Sequence, residues 1–90
     1  MSYFATYDVK YSHTAFKNNL KAQGFTDCVT MSDGSCKRLP NTTVSHDASD
    51  VNTVSARFNA ALAATSPAPV LEKVLYVPWT SFNLSSDTNC

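Results

Sequence analysis

Strand, helix, hairpin, helix, strand, in that order along 90 residues, predicts an α+β fold of the ferredoxin-like βαββαβ kind, an antiparallel sheet with two helices on one face. Three observations lead there. Alternating aromatic and β-branched residues open the chain, apolar residues recur at spacings of three and four between 48 and 65, and a second alternating run closes it. The right-handed crossover rule then places the opening strand at the centre of the sheet. A chain of this length closes one hydrophobic core, so residues 1–79 are expected to form a single domain and 80–90 a polar, mobile tail.

Each element has its own warrant. Over residues 3–9, Tyr3, Ala5, Tyr7 and Val9 fall on one face and Phe4, Thr6 and Asp8 on the other. Ser12 is placed to cap a helix over 13–23, with Tyr11 and Phe16 as a hydrophobic staple, Leu20 one turn beyond and Gly24 as its stop. Between Phe25 and His46 the pattern weakens to β-structure with a turn at Asp33-Gly34, and Pro40 assigns that region to an edge or a bulge. Asp47 or Ser49 is expected to cap the second helix, whose apolar residues are Val51, Val54, Phe58, Ala61 and Leu62. Ser66-Pro67-Ala68-Pro69 ends it. Leu71, Lys73, Leu75 and Val77 then alternate with Glu72, Val74 and Tyr76 until Pro78 ends or frays the last strand.

Composition narrows the function classes. Lysine plus arginine and aspartate plus glutamate number 7 each, so the chain as a whole has no long-range attraction for phosphate backbones. No stretch approaches the roughly 20 apolar residues of a membrane span, and the opening residues lack an export signal, so a cytoplasmic protein is expected, with no membrane partner. In that compartment Cys28, Cys36 and Cys90 default to reduced thiols, and the triplets at Asn41 and Asn83 carry no glycosylation message.

Tyr7-Asp8-Val9 ending the first strand, Gly24 ending the first helix, a Leu39–Val44 strand, a helix over 48–65 and a closing Leu75-Tyr76-Val77 strand together resemble the small CRISPR-associated adaptation subunits and their VapD-type and SinR-type relatives. The resemblance implies a ferredoxin-like fold and a homodimer in which Asp8 faces its mate. In the nucleases of that family the corresponding aspartate binds a divalent metal that activates water, a task suited to Mg²⁺ and paired carboxylates. The family's arginine-rich helix start is replaced here by Tyr11-Ser12-His13-Thr14, and its serine-aromatic segment is only echoed at Thr42-Thr43-Val44.

Asp8 is therefore the candidate catalytic and metal-binding residue, against the commoner reading of a cap on the turn into the first helix. Ser12 and His13 beside it make no triad, because neighbours opening one helix do not aim at one another as a nucleophile and base must. Cys28, Cys36, His13 and His46 are too widely spaced for the usual zinc knuckle. Lys10, Lys17, Lys21, Lys37 and Arg38, with Tyr3, Tyr7 and Tyr11, form a candidate surface for RNA or DNA, against the commoner reading of solvated lysines. Tyr76, Trp79 and Phe82 are candidate interface residues for a homodimer or another protein, Trp79 serving equally as a cover for the core. Two classes of function follow: a catalytically silent interaction or nucleic-acid-associated module, and a Mg²⁺-dependent nuclease using Asp8.

Overall fold

The computed structural model describes residues 1–86 and 88–90. It is an α+β fold with the elements β1 (Ser2–Lys10), α1 (His13–Ala22), β2 (Cys28–Thr30), β3 (Cys36–Arg38), β4 (Thr43–Asp47), α2 (Val51–Ala64) and β5 (Val70–Trp79). The main sheet has the order β4-β1-β5, and β1 is its centre, antiparallel to both neighbours. It follows that β4 and β5 run parallel to each other. Joined by α2, they form a split β-α-β unit whose gap β1 fills.

The expected four-stranded sheet differs in one respect: β2 and β3 stand apart as a two-stranded sheet. Thr26 pairs once with Ser45 on the open edge of β4, through bonds of 2.9 and 2.8 Å. The next residue, Asp27, turns inward and the hairpin leaves the main sheet. Pro40 has no amide to donate; its carbonyl instead closes a turn on the Thr43 amide at 2.9 Å. The Asp33-Gly34 turn is wider than two residues, because the Met31 amide reaches the Ser35 carbonyl at 2.7 Å and Asp33 Oδ1 accepts from the Ser35 amide at 2.9 Å. That geometry sets Cys36 opposite Thr30, one step from the register of a tight turn.

The core lies between the main sheet and the helices. Tyr3, Ala5, Tyr7 and Val9 of β1 meet Phe16 and Leu20 of α1 and Val54, Phe58 and Ala61 of α2, all buried, because spacings of two and of three to four each gather apolar groups on one side. Phe58 sits at the centre, edge-on to the rings of Phe16 at 5.3 Å, Tyr7 at 5.7 Å and Tyr76 at 5.9 Å. A bulge opposite Asp8 and Val9 shifts the register of β5, so Leu71 joins Val74 and Tyr76 against the core. Pro78 does not end this strand; an edge strand tolerates the missing donor, and pairing continues to Trp79.

Both helix starts correct the expectation. Ser12 makes no side-chain cap; it and Tyr11 adopt left-handed backbone, φ 55° and 66°, and the Ser12 hydroxyl donates to the Pro67 carbonyl at 2.8 Å. Tyr11 is 65% exposed and forms no staple. Asp50, not Asp47 or Ser49, caps α2, accepting from the Thr53 amide at 2.9 Å. Asp47 accepts instead from the Ser2 hydroxyl.

The last correction concerns the cysteines and residues 80–90. Cys28 and Cys90 form a disulfide across 62 residues of sequence, and among the described residues only Cys36 is a free, exposed thiol. Compartment and spacing do not show that the final residue returns to β2. Of the segment expected to be mobile, Thr88 and Cys90 are held on β3: the Arg38 amide donates to Thr88 at 3.0 Å, and the Cys90 amide to Cys36 at 3.3 Å. Among the described residues no helix is long and apolar enough to cross a membrane.

Candidate anion-binding cleft

His13, Lys17 and Lys21 stand four residues apart and therefore form one stripe along α1. The stripe faces the base of the β2-β3 hairpin. There the buried alternation Phe25, Asp27, Val29 turns one carboxylate toward the helix. Arg38, at the end of β3 and opposite Cys28 in the ladder, reaches the same carboxylate from the other side. Asp27 Oδ2 lies 2.8 Å from the Arg38 guanidinium, 3.5 Å from Lys21 Nζ and 4.0 Å from Lys17 Nζ. These groups border a cleft of about 520 Å³ that Tyr7, Asn41 and Thr42 also line.

Three cations meet one anion, and the surplus of positive charge is local to the cleft in a chain of zero net charge. Burial pulls the Lys17 ammonium below the usual lysine range; Asp27 opposes this, while Lys21 and Arg38 add to it. Burial, and then the Asp27 charge, push the Tyr7 phenol up to about 12, so it stays a neutral donor at ordinary pH. A bound anion would relieve the crowding among the three cations, because it adds the countercharge that Asp27 alone cannot supply. Chemically, the arrangement can hold a phosphate or carboxylate.

The structure thus brings Lys17, Lys21 and Arg38 together and leaves Lys10 and Lys37 outside. Lys10 pairs with Glu72 at 4.0 Å, and Lys37 donates to Asn89 at 2.7 Å. Tyr3 and Tyr7 are buried, which leaves Tyr11 as the exposed member of the three tyrosines. Asp27 was missed by sequence reasoning. Its signal was the period-two run from Phe25 to Val29, which sets an acid among inward-facing residues.

Asp8 lies on the other face of the sheet. Its carboxylate is 57% exposed, 4.0 Å from Lys73 Nζ, and among the described residues no group of three or more histidine, cysteine or acidic side chains is placed to hold a metal. A single carboxylate facing a lysine does not fit a Mg²⁺ site by itself. The Ser12 hydroxyl bonds to Pro67 and the His13 ring to the Val9 carbonyl at 2.9 Å, so neither engages Asp8. Cys28, bonded to Cys90, has no thiolate to offer zinc.

Of the interface candidates, Tyr76 packs against the core. Trp79 stacks on Phe4 at 5.0 Å and Phe82 meets both rings edge-on, at 4.7 and 5.0 Å, forming a cap on the outer face of the sheet. The Trp79 indole donates to the Ser45 hydroxyl at 3.3 Å, which explains why Ser45 is buried on that side. Next to the cap, Leu75 and Val77 remain exposed on edge strand β5. No protein-family model, curated protein or solved structure matches this chain, which leaves the cleft and its charges to indicate function.

Proposed function

We propose that this protein is a catalytically silent module that binds the phosphate backbone of nucleic acid in the cleft between α1 and the β2-β3 hairpin. The observation that carries the proposal is the convergence of Lys17, Lys21 and Arg38 on Asp27, which leaves uncompensated positive charge beside an open cleft. Phosphate oxygens suit these donors, an Arg fork and two ammonium groups, in charge and in geometry. The resemblance to CRISPR-adaptation-subunit-like and VapD-like proteins belongs to the same proposal on its Tyr7-Asp8-Val9 motif, although the separate hairpin departs from the ferredoxin-like sheet that it implies.

Fluorescence anisotropy with labelled RNA and DNA tests this. Three phosphate contacts give a salt slope of about −2 to −3 in log–log form, so raising salt from about 50 to 200 mM weakens binding about 20- to 60-fold. Lys17→Ala, Lys21→Ala and Arg38→Ala each flatten that slope by about 0.7–0.9. Variants that bind with the wild-type slope refute the proposal. Adding Mg²⁺ and then chelator to the same reactions tests the nuclease alternative: cleavage lost in Asp8→Asn would replace the silent module with an enzyme.

A second reading, homodimer formation, is favoured by edge strand β5 with Leu75 59% and Val77 39% exposed. Light scattering after size exclusion decides it. A monomer at high concentration removes the dimer, and a dimer lost in Leu75→Lys assigns it to this edge.

A further inference from the structure

The three cysteines meet in one small patch around β3. Lys37 pairs with Asn89, which sets Cys36 directly against Cys90, and the Cys90 amide donates to the Cys36 carbonyl at 3.3 Å. Residues opposed in this way share a face and stand about 5.5 Å apart at Cα, inside the roughly 4.4–6.8 Å that a disulfide spans. Cys90 is bonded instead to Cys28, whose Cα lies 6.2 Å away. In the β2-β3 ladder Cys28 faces Arg38 and Cys36 faces Thr30, so Cys28 and Cys36 also share a face. That diagonal is about 7–8 Å, too long for a bridge. Cys90 therefore stands within bonding reach of two cysteines that are out of reach of each other. Of these, Cys36 is the free, exposed thiol, its sulfur 3.7 Å from the Thr30 hydroxyl.

We propose that Cys90 changes partners: Cys36 is the nucleophile of an intramolecular thiol–disulfide exchange that converts the Cys28–Cys90 bridge into a Cys36–Cys90 bridge. The Cys36 thiol gives its proton to water, and the thiolate attacks Sγ of Cys90. The Cys36–Cys90 bond forms as the Cys28–Cys90 bond breaks, and Cys28 leaves as a thiolate that takes a proton from water. One disulfide and one thiol stand on each side of the step, so it needs neither oxidant nor reductant. Moving the bridge shortens a separation of 62 residues by only the eight positions between Cys28 and Cys36, and chain entropy shifts the balance by a factor of about 1.2. What changes is the place of the free thiol. In the first bridge it is Cys36, open to solvent. In the second it is Cys28, half-buried beside Asp27, whose Oδ1 already lies 3.7 Å from the sulfur and accepts from the released S–H. The exchange thus presents a thiol or shelters it, and it moves the covalent anchor of the C-terminal residue between β2 and β3. The step does not depend on what the cleft binds.

The test is thiol trapping on the intact, unreduced chain. After incubation at mildly alkaline pH, iodoacetamide blocks the free thiols, and cleavage on the amino side of aspartate puts the three cysteines in separate peptides for mass spectrometry. Label should shift in part from Cys36 to Cys28, with Cys28–Cys90 and Cys36–Cys90 peptides in matching proportion and no change on dilution. Under the same conditions Cys28→Ser should carry the Cys36–Cys90 bridge, and Cys36→Ser the Cys28–Cys90 bridge without label. Cys90→Ser should show two labelled thiols and no bridge within the chain. Wild-type label confined to Cys36, or found at all three cysteines, overturns the proposal. So does a Cys28→Ser protein with both remaining thiols free, a Cys28–Cys36 bridge in Cys90→Ser, or an exchange that slows on dilution, which would place the step between molecules.

Discussion

Asp27→Asn removes the one negative charge among the described residues that line the cleft, keeps the side chain's shape, and should move stability and binding in opposite directions. Its bond to Arg38 at 2.8 Å is charge-assisted and contributes about 1.5–3 kcal/mol, of which asparagine's carbonyl recovers about 1. Lys21 and Lys17 are farther, at 3.5 and 4.0 Å, and partly solvated, so they add about 0–1 kcal/mol each. The net loss is about 1–3 kcal/mol, which at a urea dependence of about 1–2 kcal/mol per molar lowers the midpoint by roughly 0.5–3 M. Binding should rise. A charge removed about 4 Å from a bound phosphate lifts a repulsion of about 1 kcal/mol in a water-like dielectric, a gain of about fivefold in affinity. The assay pairs urea unfolding, followed by circular dichroism, with anisotropy on the same preparation. A folded Asp27→Asn protein that binds no more tightly than wild type would mean that the three cations serve only to hold the carboxylate, and the argument for the cleft fails.

The other predictions concern the frame around the cleft. A methyl group built on Gly24, at φ 94°, meets His46 Nε2 at 2.9 Å, whereas one on Gly34, at φ 87°, meets nothing within 4 Å. Gly34→Ala should therefore cost about 1 kcal/mol of backbone strain, and Gly24→Ala about 1–2 kcal/mol more, since His46 is held on the Gln23 carbonyl at 2.9 Å; equal urea midpoints would contradict this. Pairing Cys28→Ser with Cys90→Ser opens a loop of 62 residues and should lower unfolding free energy by about 4 kcal/mol by chain entropy; a loss below about 1 kcal/mol would mean that the bridge is not formed in solution. The Tyr7 pKa is raised from 10.0 to about 12, so the folded state favours the neutral phenol; the stability this contributes is complete below pH 10 and is lost as pH rises toward 12. That loss is about 2–3 kcal/mol, and Tyr7→Phe should unfold at higher pH than wild type; an alkaline midpoint that does not move would refute the assignment.

How much was visible beforehand depends on the range of the interactions. β1, α1, α2 and β5 each carry a periodicity longer than one turn or four strand residues, and each lies within a few residues of where the pattern puts it. β2 and β3 have three residues apiece, too few for alternation to fix a register, and a one-residue difference in the turn changed what faces Cys36. Ser12 has a cap's chemistry, but its left-handed backbone aims the hydroxyl elsewhere, and only the position of Pro67 shows why. For the site, the charges of Lys17, Lys21 and Arg38 were legible. Their convergence was not, because it needs Asp27 buried at the foot of a hairpin that stands apart from the main sheet.

The place of β1 between β4 and β5 bears on how the chain is made. No pair in the main sheet is local: even the nearest partners along the chain, Thr6 and Thr43, are 37 residues apart, and Ser2 must wait for Trp79. At a synthesis rate of about 5–20 residues per second, the stripe of Tyr3, Tyr7 and Val9 leaves the ribosome seconds before its second edge exists. For that interval the nascent chain presents an open strand edge and bare aromatic rings, and it depends on chaperones or on speed of collapse to avoid pairing with its neighbours.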